Sequence, residues 1–331
     1  MNIYPKFKIF LIIYLFAIFN PSNSLSNEKF NEWLVSFKGR AIAQGVSKET
    51  VDNALKNAKF LERIVALDRK QPEFFEKTYE YLDKRVDEKR IQTAKNLLNE
   101  NSVLLEKVNT KFKVDKEVLV ALWGIETNFG VNKGKVDIIS ALSTLSFDNR
   151  RPEYFEKELI ILLKLIDNKT LKYESLYGSW AGAIGNFQFM PSTIQKYGIN
   201  FDEVSDIDLI NSFQDSLASA ANYLNTIGWK EKDKWGFEIK IDKNFDNNLI
   251  SSDSRNLKNK ISITQLKSTG FKNKNGSEIL IEDKKEGWLI RPDGEDGPIY
   301  IVFDNFLKLL EWNRSLRFAI TVGTLSDKIK I

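Results

Sequence analysis

The chain has 331 residues, 42% of them hydrophobic and 28% charged, which is enough to bury a core without disulfides or metals. It contains neither cysteine nor histidine, and this excludes cysteine nucleophiles, Ser-His-Asp triads, the usual zinc sites and disulfide frameworks. Its 49 basic and 45 acidic side chains fall in short mixed runs with a net charge of +4, without the basic stripe of a nucleic-acid binder, so acid/base work is left to Asp, Glu, Lys or Tyr.

The first element reads as a leader. Lys6 and Lys8 precede an apolar run from Ile9 to Phe19, followed by Asn20, Pro21 and the small polar stretch Ser22 to Ser24. The run is well short of the about 20 residues that cross a bilayer, so a signal peptide over residues 1–25 is expected in preference to an uncleaved anchor. No cysteine follows it to carry a lipid. The expectation is an exported, soluble, periplasmic protein with no stable membrane anchor after cleavage.

From Glu28 to Trp235 apolar residues recur at three and four, the helical spacing, as in Val51, Leu55 and Ala58 and again in Leu97, Leu98, Leu104, Leu105 and Val108. Asp115 is placed to cap a helix that carries Val118, Leu119, Leu122, Trp123 and Ile125 and ends near Gly130. Pro152 opens another through Phe155, Leu159, Leu162, Leu163 and Ile166, and a third runs from Pro191 to Gly198. From Gly236 to Phe303 the texture changes to short alternating segments at 237–241, 261–263, 279–281, 288–290 and 299–303, separated by polar runs, which is a strand-and-turn signature. The stretch from Lys243 to Lys260 is polar enough for a mobile loop. Helical spacing returns from Asn305 to Val322. The expected organisation is therefore mainly α with a small β insertion: a helical body over 26–235, a β-rich subdomain over 236–303, and a last helix over 304–331 packing back on the body.

Two segments carry candidate chemistry. Glu126 lies in the strongly apolar helix Ala121-Leu-Trp-Gly-Ile-Glu-Thr-Asn-Phe-Gly130, where desolvation would raise the pKa of a carboxyl toward the range useful to a general acid. The plainer alternative is a solvent-facing Glu on an amphipathic helix, and periodicity does not decide between them. In Gly178-Ser-Trp-Ala-Gly-Ala-Ile-Gly-Asn-Phe-Gln-Phe-Met-Pro-Ser192, small residues among aromatics would let a bulky ligand approach the backbone, with Gln188 as an amide donor. Here the alternative is a tight loop between packed helices. A helical body with one acid and an aromatic, glycine-rich cleft suits a polysaccharide, whose apolar faces stack on rings.

These segments resemble the lytic murein transglycosylase B family, glycoside hydrolase family 103, whose catalytic body is similar to goose-type lysozyme. The resemblance covers about Phe30 to Ile329 and rests on Trp123-Gly-Ile-Glu-Thr-Asn-Phe-Gly130, Leu145-Ser-Phe, Arg150-Arg-Pro-Glu-Tyr-Phe155, Ala181 to Ser192, Ala221-Asn-Tyr223 and Trp312-Asn-Arg-Ser315. It implies Glu126 as the sole catalytic acid, with Ser179, Gln188, Tyr223 and Asn313 lining the saccharide cleft, Arg150 and Arg151 contacting the glycan or its peptide, and Tyr81 contacting the sugar. Where the family often has an aromatic hydroxyl five residues after the asparagine, this chain has Phe318. The calcium loop of some members is not expected, because Asn200 to Asp208 has Val204 at a ligand position and no glycine at the sharp turn. Neither metal nor cofactor is expected.

The resemblance implies cleavage of the β-1,4 bond between N-acetylmuramic acid and N-acetylglucosamine in peptidoglycan. Glu126 would protonate the bridging oxygen while the muramic acetamido carbonyl assists, and would then deprotonate the C6 hydroxyl that closes a 1,6-anhydro ring. A second carboxylate such as Asp148 nearby would favour a hydrolytic N-acetylmuramidase instead, and a non-catalytic peptidoglycan-binding protein is the third reading. Partners would be glycan strands and cell-wall synthesis or division proteins, not nucleic acid.

Overall fold

The computed structural model describes residues 21–69, 76–173, 176–202, 207–240, 245–258, 260–295 and 297–330, so residues 1–20, and with them most of the expected leader, lie outside the described residues. The chain begins with six helices: α1 (Pro21–Ala43), α2 (Lys48–Ala54), α3 (Glu62–Asp68), α4 (Thr78–Arg85), α5 (Glu88–Glu100) and α6 (Ser102–Phe112). Next come α7 (Lys116–Thr127), β1 (Val136–Asp137), α8 (Ile138–Phe147), α9 (Pro152–Asp167), β2 (Tyr177–Gly178), α10 (Pro191–Tyr197) and α11 (Phe213–Thr226). Strands β3 (Gly236–Lys240), β4 (Ile250–Ser251) and β5 (Ile261–Ser262), helix α12 (Ile263–Ser268), and strands β6 (Lys272–Asn273), β7 (Glu286–Ile290) and β8 (Ile299–Val302) follow, before α13 (Asp304–Trp312) and α14 (Leu316–Lys328). Mainly helical with a small sheet, this is the expected class.

Side-chain caps start many of the helices. Ser47, Asp87, Asp137, Ser212 and Ser315 each accept the amide N–H three residues on, contributing about 1 kcal/mol apiece. Asp115 stands at the N-cap of α7 but makes no such bond: its carboxylate accepts from the Trp229 indole at 2.9 Å and the Lys232 amide at 3.0 Å. Helix α7 is buried without a break from Val118 to Gly124, which marks it as the central helix of the bundle. It packs on α5, α6, α11 and α14.

The five-strand path of the sheet runs β4-β7-β8-β3-β6, and β5 pairs with β7. Strand β8 is buried on both faces: Tyr300 and Val302 join the large helical core, while Ile299, Ile301 and the following Phe303 join a separate small core with Ile239, Leu289 and Leu266. Three readings of the pattern change here. Residues 279–281 form no strand: Ile279 and Ile281 pack on the small core and Leu280 is 87% exposed, but the segment pairs with no neighbouring strand. Ile263 opens a helix, with Ser262 capping through Gln265 N–H. The C-terminal helical stretch is two helices, broken where Asn313 turns extended and Ser315 caps α14 through Phe318 N–H.

Candidate active site

Glu126 occupies the last turn of α7, half-buried, immediately before the helix is terminated by three left-handed residues: Asn128 (φ 50), Phe129 (φ 57) and Gly130 (φ 83). Asn tolerates that region, but a bulky aromatic rarely enters it. Phe129 is held there by its own N–H to Trp123 O at 3.2 Å and by an edge-on contact with the Trp123 ring at 5.6 Å. Its ring folds back over Gly124, where an added Cβ would come within 2.7 Å and would have to displace that ring.

The same helix end is tied to the glycine-rich loop. Thr127, fully buried, donates through its hydroxyl to Asn186 O at 2.8 Å and accepts from Gly130 N–H at 3.0 Å, and the Trp123 indole donates to Asn186 Oδ1 at 3.3 Å. The loop is a compact hairpin. Strand β2 pairs with β1, Ser179 Oγ accepts the amides of Ala181 and Ala183, and Ile184 and Phe189 exchange two bonds of 2.9 Å. Glu158, 3% exposed on α9, closes the loop's exit by accepting from Ser192 N–H at 2.9 Å and from Ser192 Oγ at 2.6 Å.

Gln188 sits at the hairpin tip in the left-handed region, φ 50. Its Nε2 donates to Gly185 O at 2.9 Å and to Lys133 O at 3.3 Å. Both amide hydrogens are thereby committed, and the group it offers a ligand is its oxygen, an acceptor, not the donor that composition suggested.

Ser179 and Gln188 line a cleft of about 1040 Å³ between this loop, the segment from Asn132 to Ser140, and the residues from Asn57 to Leu67. The last wall is hung on α8, since Ser140 Oγ and Thr144 Oγ1 each accept, at 3.0 Å, the amides of Lys59 and Leu61. Tyr177, Trp180 and Tyr173 supply rings, and Lys59, Arg63 and Lys135 supply exposed cations. Glu126 lies outside this lining, and the bonds of its helix neighbours Thr127 and Trp123 to Asn186 tie the helix end to the loop that bears Gln188.

On its other side Glu126 meets Trp312, whose indole Nε1 donates to Glu126 Oε1 at 2.8 Å. Trp312 ends a column of stacked rings: Tyr197 on Tyr223 at 4.3 Å and 17°, and Tyr223 on Trp312 at 5.0 Å and 20°. Burial pushes the Tyr223 phenol up to about 12, with Tyr197 and Glu311 adding to the effect, so it stays a neutral donor and bonds Glu311 O at 3.0 Å. With rings on both faces, Tyr223 braces Trp312; a stacking face for sugar is not left to it. Asn313 caps α13 and accepts Ser315 N–H on Oδ1 at 3.1 Å, so its amide nitrogen is the group it has to offer.

Other expected contacts are not brought to this cleft. Arg150 and Arg151 both clamp Asp68, 1% exposed at the end of α3, with Arg150 Nη1 at 2.7 Å from Oδ2 and Arg151 on Oδ1. They anchor the helix that bears the cleft residues Arg63, Ile64 and Leu67. Tyr81 is 4% exposed inside α4, with the Arg85 guanidinium 3.5 Å above its ring, and it does not line the cleft. Asp148 is bound by Arg69 at 3.0 Å. Phe318 is buried in α14. Of the segment Asn200 to Asp208, residues 203–206 lie outside the described residues; Asp208 itself accepts from the amides of Ile210 and Asn211. Among the described residues there is no group of three or more Asp and Glu placed to hold a metal.

Trp312, Asn186 and Thr127 stand inside the motifs quoted above but carried no role of their own there, and Asp68 and Glu158 were not named from sequence. Glu158 had a signal, an acid among Phe155, Leu159 and Leu162 on an apolar helix face.

A family model described as a transglycosylase SLT domain matches residues 29–327. The membrane-bound lytic murein transglycosylase B of Escherichia coli is 29% identical over 253 residues, 76% of this chain and 67% of that protein. The crystal structure of SltB3 from Pseudomonas aeruginosa in complex with NAG-NAM-pentapeptide is 32% identical, covers 91% of this chain and 79% of that chain, and superposes with a TM-score of 0.83. The soluble lytic transglycosylase SltB1 of the same organism is 25% identical, covering 90% of this chain and 98% of that one, with a TM-score of 0.78.

Proposed function

Since this chain belongs to the transglycosylase SLT domain family, we propose that this lytic transglycosylase of peptidoglycan works with Glu126 as its single acid/base. The observation that carries the assignment is the placement of one half-buried carboxyl, held by an indole N–H, on a helix end whose neighbouring Thr127 bonds Asn186 in the loop that lines a large cleft. Glu126 donates its proton to the oxygen bridging N-acetylmuramic acid and N-acetylglucosamine as that bond breaks, with the muramic acetamido carbonyl assisting from within the substrate. The resulting carboxylate then removes the proton from the C6 hydroxyl, whose oxygen closes on C1 to form the 1,6-anhydro ring. The proton taken equals the proton given, and no water is consumed.

Ser179, the Gln188 oxygen and the Asn313 amide are the polar contacts for hydroxyl and acetamido groups. The exposed cations Lys59, Arg63 and Lys135 complement the carboxylates of the stem peptide. Asp148, bound by Arg69, is not positioned as a free second base, and this favours the anhydro product over hydrolysis. Residues 1–25 act as the leader that exports the enzyme to the periplasm, where the glycan strands are its partners and cell-wall synthesis or division proteins recruit it; among the described residues no helix is long and apolar enough to cross a membrane. The helical residues 26–235, the β-rich 236–303 and the closing 304–331 make up its parts.

The test is digestion of purified sacculi followed by mass spectrometry of the released muropeptides. Anhydro-muramyl ends are expected from the wild type and no release from a folded Glu126→Gln variant. Release by that variant, or reducing ends from the wild type, rejects the mechanism.

A further inference from the structure

We infer that Trp312 is a positioning residue for the proton transfers, fixing through its indole N–H which oxygen of Glu126 carries the mobile proton. The inference rests on the reading of Glu126 as the acid/base. An indole nitrogen donates and never accepts, so a 2.8 Å contact with Oε1 makes that oxygen the acceptor. In the protonated acid Oε1 is then the carbonyl oxygen, and the hydroxyl is on Oε2. Proton donation turns a bond to a neutral acid into a bond to a carboxylate, and hydrogen bonds to ionised acceptors are roughly twice as strong. The N–H therefore binds the transition state more tightly than the ground state, and the gain appears in kcat. On the return step it keeps Oε2 as the oxygen that takes the C6 proton.

The donor is itself held. Trp312 lies at the end of α13, one ring face covered by Tyr223, which is covered in turn by Tyr197, while Phe187 and Phe189 meet it at 6.3 and 5.5 Å. Phe187 and Phe189 flank Gln188 in the loop. The ring is thus clamped between α11 and the loop, and its N–H direction is set by packing more than by Glu126.

Trp312→Phe keeps a ring in the column and deletes the N–H. The expected result is a fall in kcat on sacculi of roughly ten- to a hundredfold, the range for loss of one hydrogen bond to a charged group, with KM changed less than about twofold. Because that variant is at risk of misfolding, Tyr223→Leu is measured beside it: it leaves the N–H but removes its brace, and a smaller fall in kcat at constant KM is expected. Unchanged kcat in a folded Trp312→Phe protein, a loss confined to KM, or, should Trp312→Phe not fold, unchanged kcat in Tyr223→Leu overturns the inference. Glu126→Gln is assayed in parallel: if it is inactive while Trp312→Phe turns over at the full rate, only the role of Trp312 falls, whereas an active Glu126→Gln removes the premise.

Discussion

Gly134 offers a severe test of how the cleft is built. It faces the base of the hairpin with φ +88, and a Cβ added there would lie 2.0 Å from Gly178 O, 2.1 Å from Gly178 C and 2.6 Å from Ser179 N. Those atoms are backbone and cannot rotate aside, so Gly134→Ala must part the two segments by more than an ångström to restore ordinary contacts of about 3.5 Å. The left-handed backbone costs an L-residue about 1–2 kcal/mol, and overpacking costs about 1–3 kcal/mol more. At about 1–2 °C per kcal/mol for a protein of this size, the melting temperature is expected to fall by roughly 2–10 °C. Gly276→Ala is the control: its φ is +85 but nothing lies within 4 Å, so it bears the backbone cost alone, roughly 1–4 °C. Because Ser179 moves with Gly178, sacculus digestion by Gly134→Ala at 25 °C, where it remains folded, is expected to fall by about a hundredfold, the loss typical of an ångström displacement. Calorimetry and muropeptide release on both variants decide the matter. A Gly134→Ala protein that melts with Gly276→Ala and digests at the wild-type rate would refute the placement of the hairpin against this turn.

Two buried acids give further expectations. Asp68→Asn, which removes the charge between Arg150 and Arg151, is expected to lower stability by about 1–3 kcal/mol and to raise KM more than it lowers kcat, because it loosens α3 and not the acid; calorimetry and initial rates against sacculus concentration read both. Glu158→Gln presents an amide hydrogen to Ser192 in one of its orientations and no charge in either, so a melting temperature lower by several degrees and a reduced kcat are expected, with α10 fraying where it leaves the Gln188 loop. An unchanged melting temperature for either variant counts against the bond concerned.

The central helix was legible because one pattern said several things at once: an apolar face from Val118 to Ile125, a polar Asn-Phe-Gly end, and an acid between them. The loop was legible through its glycines and its Pro191 exit. The donor to Glu126 was not, because Trp312 stands 186 residues away and local spacing says nothing about which distant helix end arrives. The resemblance implied Arg150 and Arg151 as contacts to the glycan or its peptide, and spacing could not show that both also bind Asp68, because a cation's partner is set by tertiary packing. Beside the sheet, Ile279-Leu280-Ile281 carries strand composition, and Ile279 and Ile281 both pack on the small core, yet no ladder forms. The break at Asn313 interrupts an apolar spacing that would otherwise pass as one helix, since capping by Ser315 outweighs periodicity there.

Local conformational cost is concentrated where the chemistry is proposed. Among the described residues, the non-glycine positions in the left-handed region are Lys113, Asn128, Phe129, Lys169, Gln188 and Lys232, and three of these six flank Glu126 or form the cleft tip. Lys113 is a helix C-cap, a place where that conformation recurs in many proteins. Phe129 and Gln188 have no such excuse, and each is held by specific bonds: Phe129 by Trp123, and Gln188 by the carbonyls of Gly185 and Lys133. Backbone of this kind persists only where its surroundings over-determine it, and the surroundings here are a helix buried from Val118 to Gly124 and a hairpin closed at both ends. The proton donation and return proposed for Glu126 call for a carboxyl whose geometry is set by the frame. The strain at Phe129 and Gln188 is the local sign that the frame is doing so.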